Sequence, residues 1–175
     1  MSLKLVVPDG CHEQAWRDIL AEFKAYDEEP ADGLYIGLDE DGYETYLTMC
    51  EMLRKHNNLE SLFIPQTIYF LMEDGSDEIL GQITIRHILN DYLLNIDGHI
   101  GYCIRPSKWG KGYATKQLEL ALDICKSKGM EKVLLTCNSD NYASAAVIKK
   151  CGGELENTFA EEDGNIVERY WIRSK

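Results

Sequence analysis

Basic residues are scarce in this chain. Its 175 residues carry 18 Lys and Arg against 30 Asp and Glu, a net charge of −12. Such a balance argues against nucleic acid and anionic membranes as partners, and it favours a cationic ligand such as an amine. Long apolar runs are missing too. No segment approaches the roughly 18 apolar residues that cross a bilayer. The start, Met-Ser-Leu-Lys-Leu-Val-Val-Pro, is interrupted too soon for a signal peptide. Finally, no Cys-x-x-Cys occurs among the cysteines at positions 11, 50, 103, 125, 137 and 151. Without ligand pairs at short spacing no zinc or other metal site is expected. These cysteines read as reduced core residues of a cytoplasmic protein.

What is present suits one domain over residues 1–175 with a single sizeable core. A hydrophobic fraction of 45% is that of an ordinary globular chain. The acidic residues are not evenly spread, since Asp27–Glu44 holds eight of them and no base. That stretch reads either as a solvated loop between two helices or as a funnel for a cationic amine.

Periodicity supplies the elements. Residues 2–7 can form a strand. Trp16, Ile19, Leu20 and Phe23 mark one amphipathic helix, and Tyr46, Leu47, Cys50 and Leu53 another. Strands are expected over 67–73, 78–89 and 99–105. A helix carrying Ala114, Leu118, Ala121, Leu122 and Cys125 follows and stops at Gly129. A strand over 133–137, a short helix after Asn141, and a hairpin pairing 154–159 with 166–172 close the chain. The order is β-α-α-β-β-β-α-β-α-β-β, an α+β protein with helices covering a sheet.

The most informative stretch is 99–114, His-Ile-Gly-Tyr-Cys-Ile-Arg-Pro-Ser-Lys-Trp-Gly-Lys-Gly-Tyr-Ala. It reads as a strand, a turn and a helix start. Gly110, Gly112 and Ala114 leave the turn almost without bulk, so several backbone N–H groups can be presented together. A helix N-terminus has about four unpaired N–H groups and about half a positive charge. Phosphate or pyrophosphate suits such a site. No Gly-Lys-Ser/Thr follows at P-loop spacing. No strand ending in an acidic residue follows at dinucleotide-fold spacing either.

The stretch resembles motif A of the GCN5-related N-acetyltransferases (GNAT), Arg/Gln-x-x-Gly-x-Gly/Ala. Gly112 and Ala114 fill its last positions, and Trp109 stands where Arg or Gln is usual. Asn141-x-x-Ser144, followed by a helix and Gly152-Gly153, resembles motif B of the same family. The resemblance extends to small uncharacterised predicted acetyltransferases, through Arg86–Asn90, His99–Tyr102, Arg105–Ser107, Lys111–Thr115 and Arg169–Ile172.

That resemblance implies a mixed, mostly antiparallel sheet with helices on both faces, and acetyl-CoA as cosubstrate. The strands at 99–105 and 132–137 would part to admit the pantetheine arm. A strand N–H near Cys103 or Ile104 would face the thioester oxygen. The pyrophosphate would meet the N–H groups of Gly110, Lys111, Gly112, Tyr113, Ala114 and Thr115, with the Lys111 ammonium and the Thr115 hydroxyl beside it and Trp109 covering the turn. Asn141 would bond the pantetheine amide, with Ser144 close by. Many relatives carry a Tyr seven residues after the Asn to protonate the thiolate, but this chain has Ile148. Tyr102 and Tyr142 are the substitutes to consider. An amine of pKa near 10 must lose a proton before attack. His99 is the leading candidate base, with His87, Glu73 and Asp97 behind it. Arg86 with Asn90 could hold a substrate carboxylate.

The expected activity is direct acetyl transfer to a primary amine of a small molecule or peptide. The alternatives are acetylation of a protein N-terminus, as on ribosomal proteins, and a CoA-binding sensor without turnover. The closing hairpin offers an edge for a homodimer.

Overall fold

The apolar stripe of the first helix sets the architecture. In the computed structural model, which describes residues 2–30, 42–55 and 64–173, α1 (Glu13–Ala25) buries Trp16, Ile19, Leu20 and Phe23. Helix α2 (Gly42–Lys55) buries Tyr43, Tyr46, Cys50 and Leu53 beside it. Both stripes lie on Ile68, Phe70 and Met72 of one sheet face. Burying a large apolar side chain contributes about 1.5–3 kcal/mol, so this layer is fixed by many such terms.

The sheet has seven strands in the order β1-β2-β3-β4-β5-β7-β6. They are β1 (Leu3–Val6), β2 (Gln66–Glu73), β3 (Ile79–Arg86), β4 (Ile100–Ile104), β5 (Lys132–Asn138), β6 (Glu154–Ala160) and β7 (Ile166–Arg173). Helices α3 (Tyr113–Ser127) and α4 (Tyr142–Lys150) cover the other face. There Leu118, Ala121, Cys125, Ala145 and Ile148 meet Ile83, Ile85, Val133, Leu135 and Tyr170. The element order expected from periodicity is the one observed. Three short helical turns are added, at Gly10–His12, Leu93–Asp97 and Pro106–Lys108. The third strand ends at Arg86, short of Leu89, because Arg86 N–H is the last to bond β4, through the His99 carbonyl. Most of the acidic segment lies outside the described residues.

All neighbouring strands run antiparallel except β4 and β5. That parallel pair is in register only at Ile100↔Leu135. The first residue of β4 touches the middle of β5, and the two strands then separate. The Leu93–Asp97 turn leans on β5 and β7 on the α1/α2 side: Ile96 and Leu94 offer carbonyls to Thr136 and Arg169.

Candidate active site

The parting of β4 and β5 begins at a histidine. His99 N–H donates to the Leu134 carbonyl at 2.7 Å. In return, Leu134 N–H donates to His99 Nδ1 at 2.9 Å. The imidazole thus takes a bond that a backbone carbonyl takes in a regular ladder. A neutral imidazole has one lone pair on its ring nitrogens, and Leu134 occupies it. Burial, helped by the Arg86 charge, lowers the His99 pKa to about 4. His99 therefore carries its proton on Nε2 and has no site left to accept one from an amine. The expectation of a general base is corrected to a structural hinge between the strands.

Beyond His99, the phase of the β3–β4 ladder decides which groups face the gap. Arg105 N–H donates to the Leu80 carbonyl at 2.9 Å, and Gln82 pairs with Cys103. Residues along an antiparallel strand alternate in direction. Gly101 and Cys103 therefore turn their backbone groups to β3, while Tyr102 and Ile104 turn theirs toward β5. The Cys103 side chain packs in the α1/α2 layer. Of the two residues expected beside the gap, Ile104 turns its backbone groups toward it and Cys103 does not, while Tyr102 does. The Ile104 carbonyl already accepts the Trp109 indole N–H at 2.6 Å.

Tyr102 matters by its side chain as well. It points to the α3/α4 layer, and its hydroxyl is buried with no hydrogen-bond partner. Burial pushes its pKa to about 12 against the opposing pull of the neighbouring Ser144 hydroxyl. Ser144 and Tyr102, read from separate motifs, are thus brought together. Ile148 is fully buried in the same layer, and it supplies no polar atom there.

At the end of β4 the chain turns through Pro106–Lys108 into α3. Gly110 and Gly112 have φ of 71° and 83°, in the left-handed region that glycine enters freely. A side chain at either position would meet nothing within 4 Å, so both glycines front open space. Gly112 is the N-cap of the 15-residue helix α3, and no side chain caps it. No acidic residue lies in its first turn. The leading N–H groups of α3 are therefore left for an anion. Lys111 folds back and donates to the Ser107 carbonyl at 2.8 Å, and the Thr115 side chain is buried.

A clamp that the sequence did not suggest holds this turn. Glu22 of α1 accepts from Arg105 Nε at 2.5 Å and from Ser107 N–H at 2.7 Å. Burial raises the Glu22 pKa, but the Ser107 and Arg105 bonds outweigh it and hold the carboxyl low. Arg105 also reaches Glu78 at 3.2 Å. Glu22 and Arg105 are 83 residues apart in the chain, so no local pattern could have paired them.

Asn141 caps α4, with its Oδ1 accepting Ser144 N–H at 3.0 Å. The proposed carboxylate pair dissolves into two structural tasks. Asn90 Oδ1 accepts Leu93 N–H at 2.9 Å and starts the 93–97 turn. Arg86, largely buried, donates to the Gly98 carbonyl at 3.3 Å and lies 3.8 Å from the Asp97 carboxylate. Of the other candidates, His87 bonds Thr67 at 3.0 Å, Glu73 pairs with Leu3 of the edge strand, and Tyr142 is exposed. Among the described residues no three His, Cys, Asp or Glu side chains gather to hold a metal.

Comparison with known proteins bears on what this arrangement is for. RimL, a ribosomal L7/L12 alpha-N-protein acetyltransferase solved with coenzyme A, superposes with a TM-score of 0.73 at 18% identity, over 100% of this chain and 97% of its own. Mycobacterium smegmatis RimJ, solved with CoA-disulfide, gives 0.71 at 23% identity over 98% and 82%. A chimera of Vibrio cholerae spermidine N-acetyltransferase SpeG with hSSAT gives 0.66 at 19% identity over 99% and 96%. These identities speak to fold. No curated protein matches the sequence. The family model described as Acetyltransferase (GNAT) domain matches residues 14–154. That span runs from the first helix through both motifs and past the parted strands, and the chain belongs to the GNAT acetyltransferases.

Proposed function

We propose that the chain carries an acetyl group from acetyl-CoA directly to a primary amine of a small molecule or peptide. The observation that carries this reading is the open, uncapped turn at Gly110–Gly112 lying beyond a strand whose Tyr102 and Ile104 backbone groups face an unpaired gap. The donor set fits the cofactor. The α3 N–H groups from Tyr113 to Thr115 would hold the pyrophosphate, with Lys111 near. The gap N–H groups, the Asn141 amide and Ser144 would hold the pantetheine arm. Bound there, acetyl-CoA supplies an acyl group activated as a thioester.

The N–H of Tyr102 or Ile104 is the donor for the oxygen that gains charge, a contribution of about 3 kcal/mol when such a donor is well placed. The Tyr102 hydroxyl, beside Ser144 on the α4 side, is suited to the departing thiolate. With a pKa near 12 it keeps its proton and stabilises sulfur by a hydrogen bond, leaving protonation to solvent. The amine proton likewise leaves by water, since His99 has no free lone pair.

Two further readings have support. The RimL likeness favours a protein N-terminus as acceptor. The buried Ile148 favours a CoA sensor without turnover. All six cysteines are free thiols, in keeping with a cytoplasmic protein. The β6 strand, at the sheet edge and exposed throughout, is the edge we assign to a homodimer.

The test is thermal stabilisation by acetyl-CoA, CoA and NADH side by side, followed by thiol release with amines. Ligand at about 100 times its Kd adds about 2.7 kcal/mol. Stabilisation by the first two alone supports the turn as a CoA site. Thiol release then separates transferase from sensor, and peptide against polyamine acceptors separates the two transferase readings. Stabilisation by none of the three would remove the cofactor assignment.

A further inference from the structure

The face of the sheet opposite α3 and α4 is where an acceptor would meet the thioester, and its polar side chains can be accounted for one by one. Among the described residues, β3 contributes Gln82, Thr84 and Arg86 there, β5 contributes Thr136 and β7 contributes Arg169. Gln82 Oε1 accepts the Tyr46 hydroxyl at 2.7 Å. Arg86 holds the Gly98 carbonyl. Thr136 Oγ1 donates to the Ile96 carbonyl at 2.5 Å, and Arg169 Nε to the Leu94 carbonyl at 3.0 Å. Thr84 is different. It is 2% exposed, and its hydroxyl has no hydrogen-bond partner.

An unsatisfied buried hydroxyl is costly, so its position is informative. Thr84 pairs with Gly101, the residue just before Tyr102. Gly101 has no side chain to cover the β4 backbone at that point. The unpartnered hydroxyl therefore lies across one strand from the gap whose Tyr102 N–H is proposed to face the reacting carbonyl. Threonine oxygen can accept a hydrogen bond from an amine N–H, which leaves the nitrogen lone pair for attack.

We infer that Thr84 is an acceptor-binding residue, whose hydroxyl oxygen holds the attacking primary amine; this rests on the transferase reading above. The ligand class is any primary amine, because the contact is made to the nitrogen itself and not to the rest of the acceptor.

The experiment compares wild type, Thr84→Val and Thr84→Ser. Thiol release is followed with methylamine, spermidine and a peptide beginning with serine, and acetyl-CoA affinity and Tm are measured alongside. Valine keeps the shape and removes the oxygen. The expected result is a loss of about ten-fold in kcat/KM for the amine, the order of one hydrogen bond. The KM for acetyl-CoA should not move, Tm should hold or rise, and serine should restore most of the rate. Thr84→Val at wild-type kcat/KM with every amine would overturn the inference and leave the transferase reading standing. Wild type that is stabilised by acetyl-CoA yet releases no thiol with any of the three amines would overturn the transferase reading, and this inference with it.

Discussion

The two faces of the sheet offer a ligand different kinds of group. On the α3/α4 side the available groups are mostly backbone: the N–H groups of an uncapped helix and of a strand without a neighbour. On the α1/α2 side the groups are side chains, and those of Gln82, Arg86, Thr136 and Arg169 are spent on the Tyr46 hydroxyl and on backbone carbonyls. A backbone site depends on where the chain turns, so substitutions that keep the turn leave it intact. A side-chain site depends on which residue stands at each position, and it can change acceptor without changing fold. With the sites as proposed, one scaffold would keep its cofactor while its acceptor varied.

The largest expected effect comes from breaking both faces at their common root. Gly98 has φ of 67°, and a Cβ there would stand 2.6 Å from the Leu134 carbonyl oxygen. Left-handed strain of about 1–2 kcal/mol adds to overpacking of about 1–3 kcal/mol. Gly98→Ala should lower Tm by about 10 °C in calorimetry, with both ligand affinities falling together. Next comes the single side chain assigned to chemistry on the cofactor side. Tyr102→Phe should reduce kcat by about ten- to a hundred-fold, the worth of a hydrogen bond to a charged group. Acetyl-CoA affinity should stay near wild type in calorimetric titration.

Gly112→Val tests the backbone site by itself. A Cβ at Gly112 has nothing to strike, so the cost is confined to the left-handed conformation. Acetyl-CoA should bind about ten-fold more weakly, and left-handed strain of about 1–2 kcal/mol should lower the Tm of the free protein by only a few degrees, less than Gly98→Ala. If affinity is unchanged, the turn is not the anion site and the contrast between the faces fails.

The smallest effect is a pH dependence from the hinge. His99 has a folded pKa near 4, below the ordinary histidine value of about 6.5. The unfolded chain binds the proton first as pH falls. The stability from neutral His99 is therefore complete above about pH 6.5 and is lost progressively toward pH 4. Tm should drop across that window. His99→Asn keeps an acceptor for Leu134 N–H but cannot titrate, so its profile should be shallower there.

Legibility in the sequence follows the same divide. The glycine turn, the Asn141 cap and the helical stripes each depend on residues a few positions apart, and all were readable. The phase of the β3–β4 ladder was not, because it is fixed by Arg86 with His99 and by Leu80 with Arg105. That phase alone decides between Cys103 and Tyr102 at the gap. Arg86 and Asn90 looked like a ligand pair because their partners, the carbonyl of Gly98 and the N–H of Leu93, carry no side-chain signature. The Glu22–Arg105 clamp joins the first helix to the turn across the whole first half of the chain. The lone pair of His99 was invisible for the same reason: its partner is a backbone group on another strand.

Trp109 gives the phosphate turn one more property. The chain has three tryptophans. Trp16 is sealed in the core at 1% exposure, whereas Trp109 is 46% exposed and edges against Tyr26 with ring centroids 6.2 Å apart. Trp171 donates its indole N–H to Glu156 on the far hairpin. One fluorophore thus stands beside the glycines of the proposed anion site, with Trp16 in the core and Trp171 on β7, its ring 6.1 Å from that of His99. With the turn as the proposed anion site, an arriving phosphate should change the Trp109 emission, readable without label or coupling enzyme.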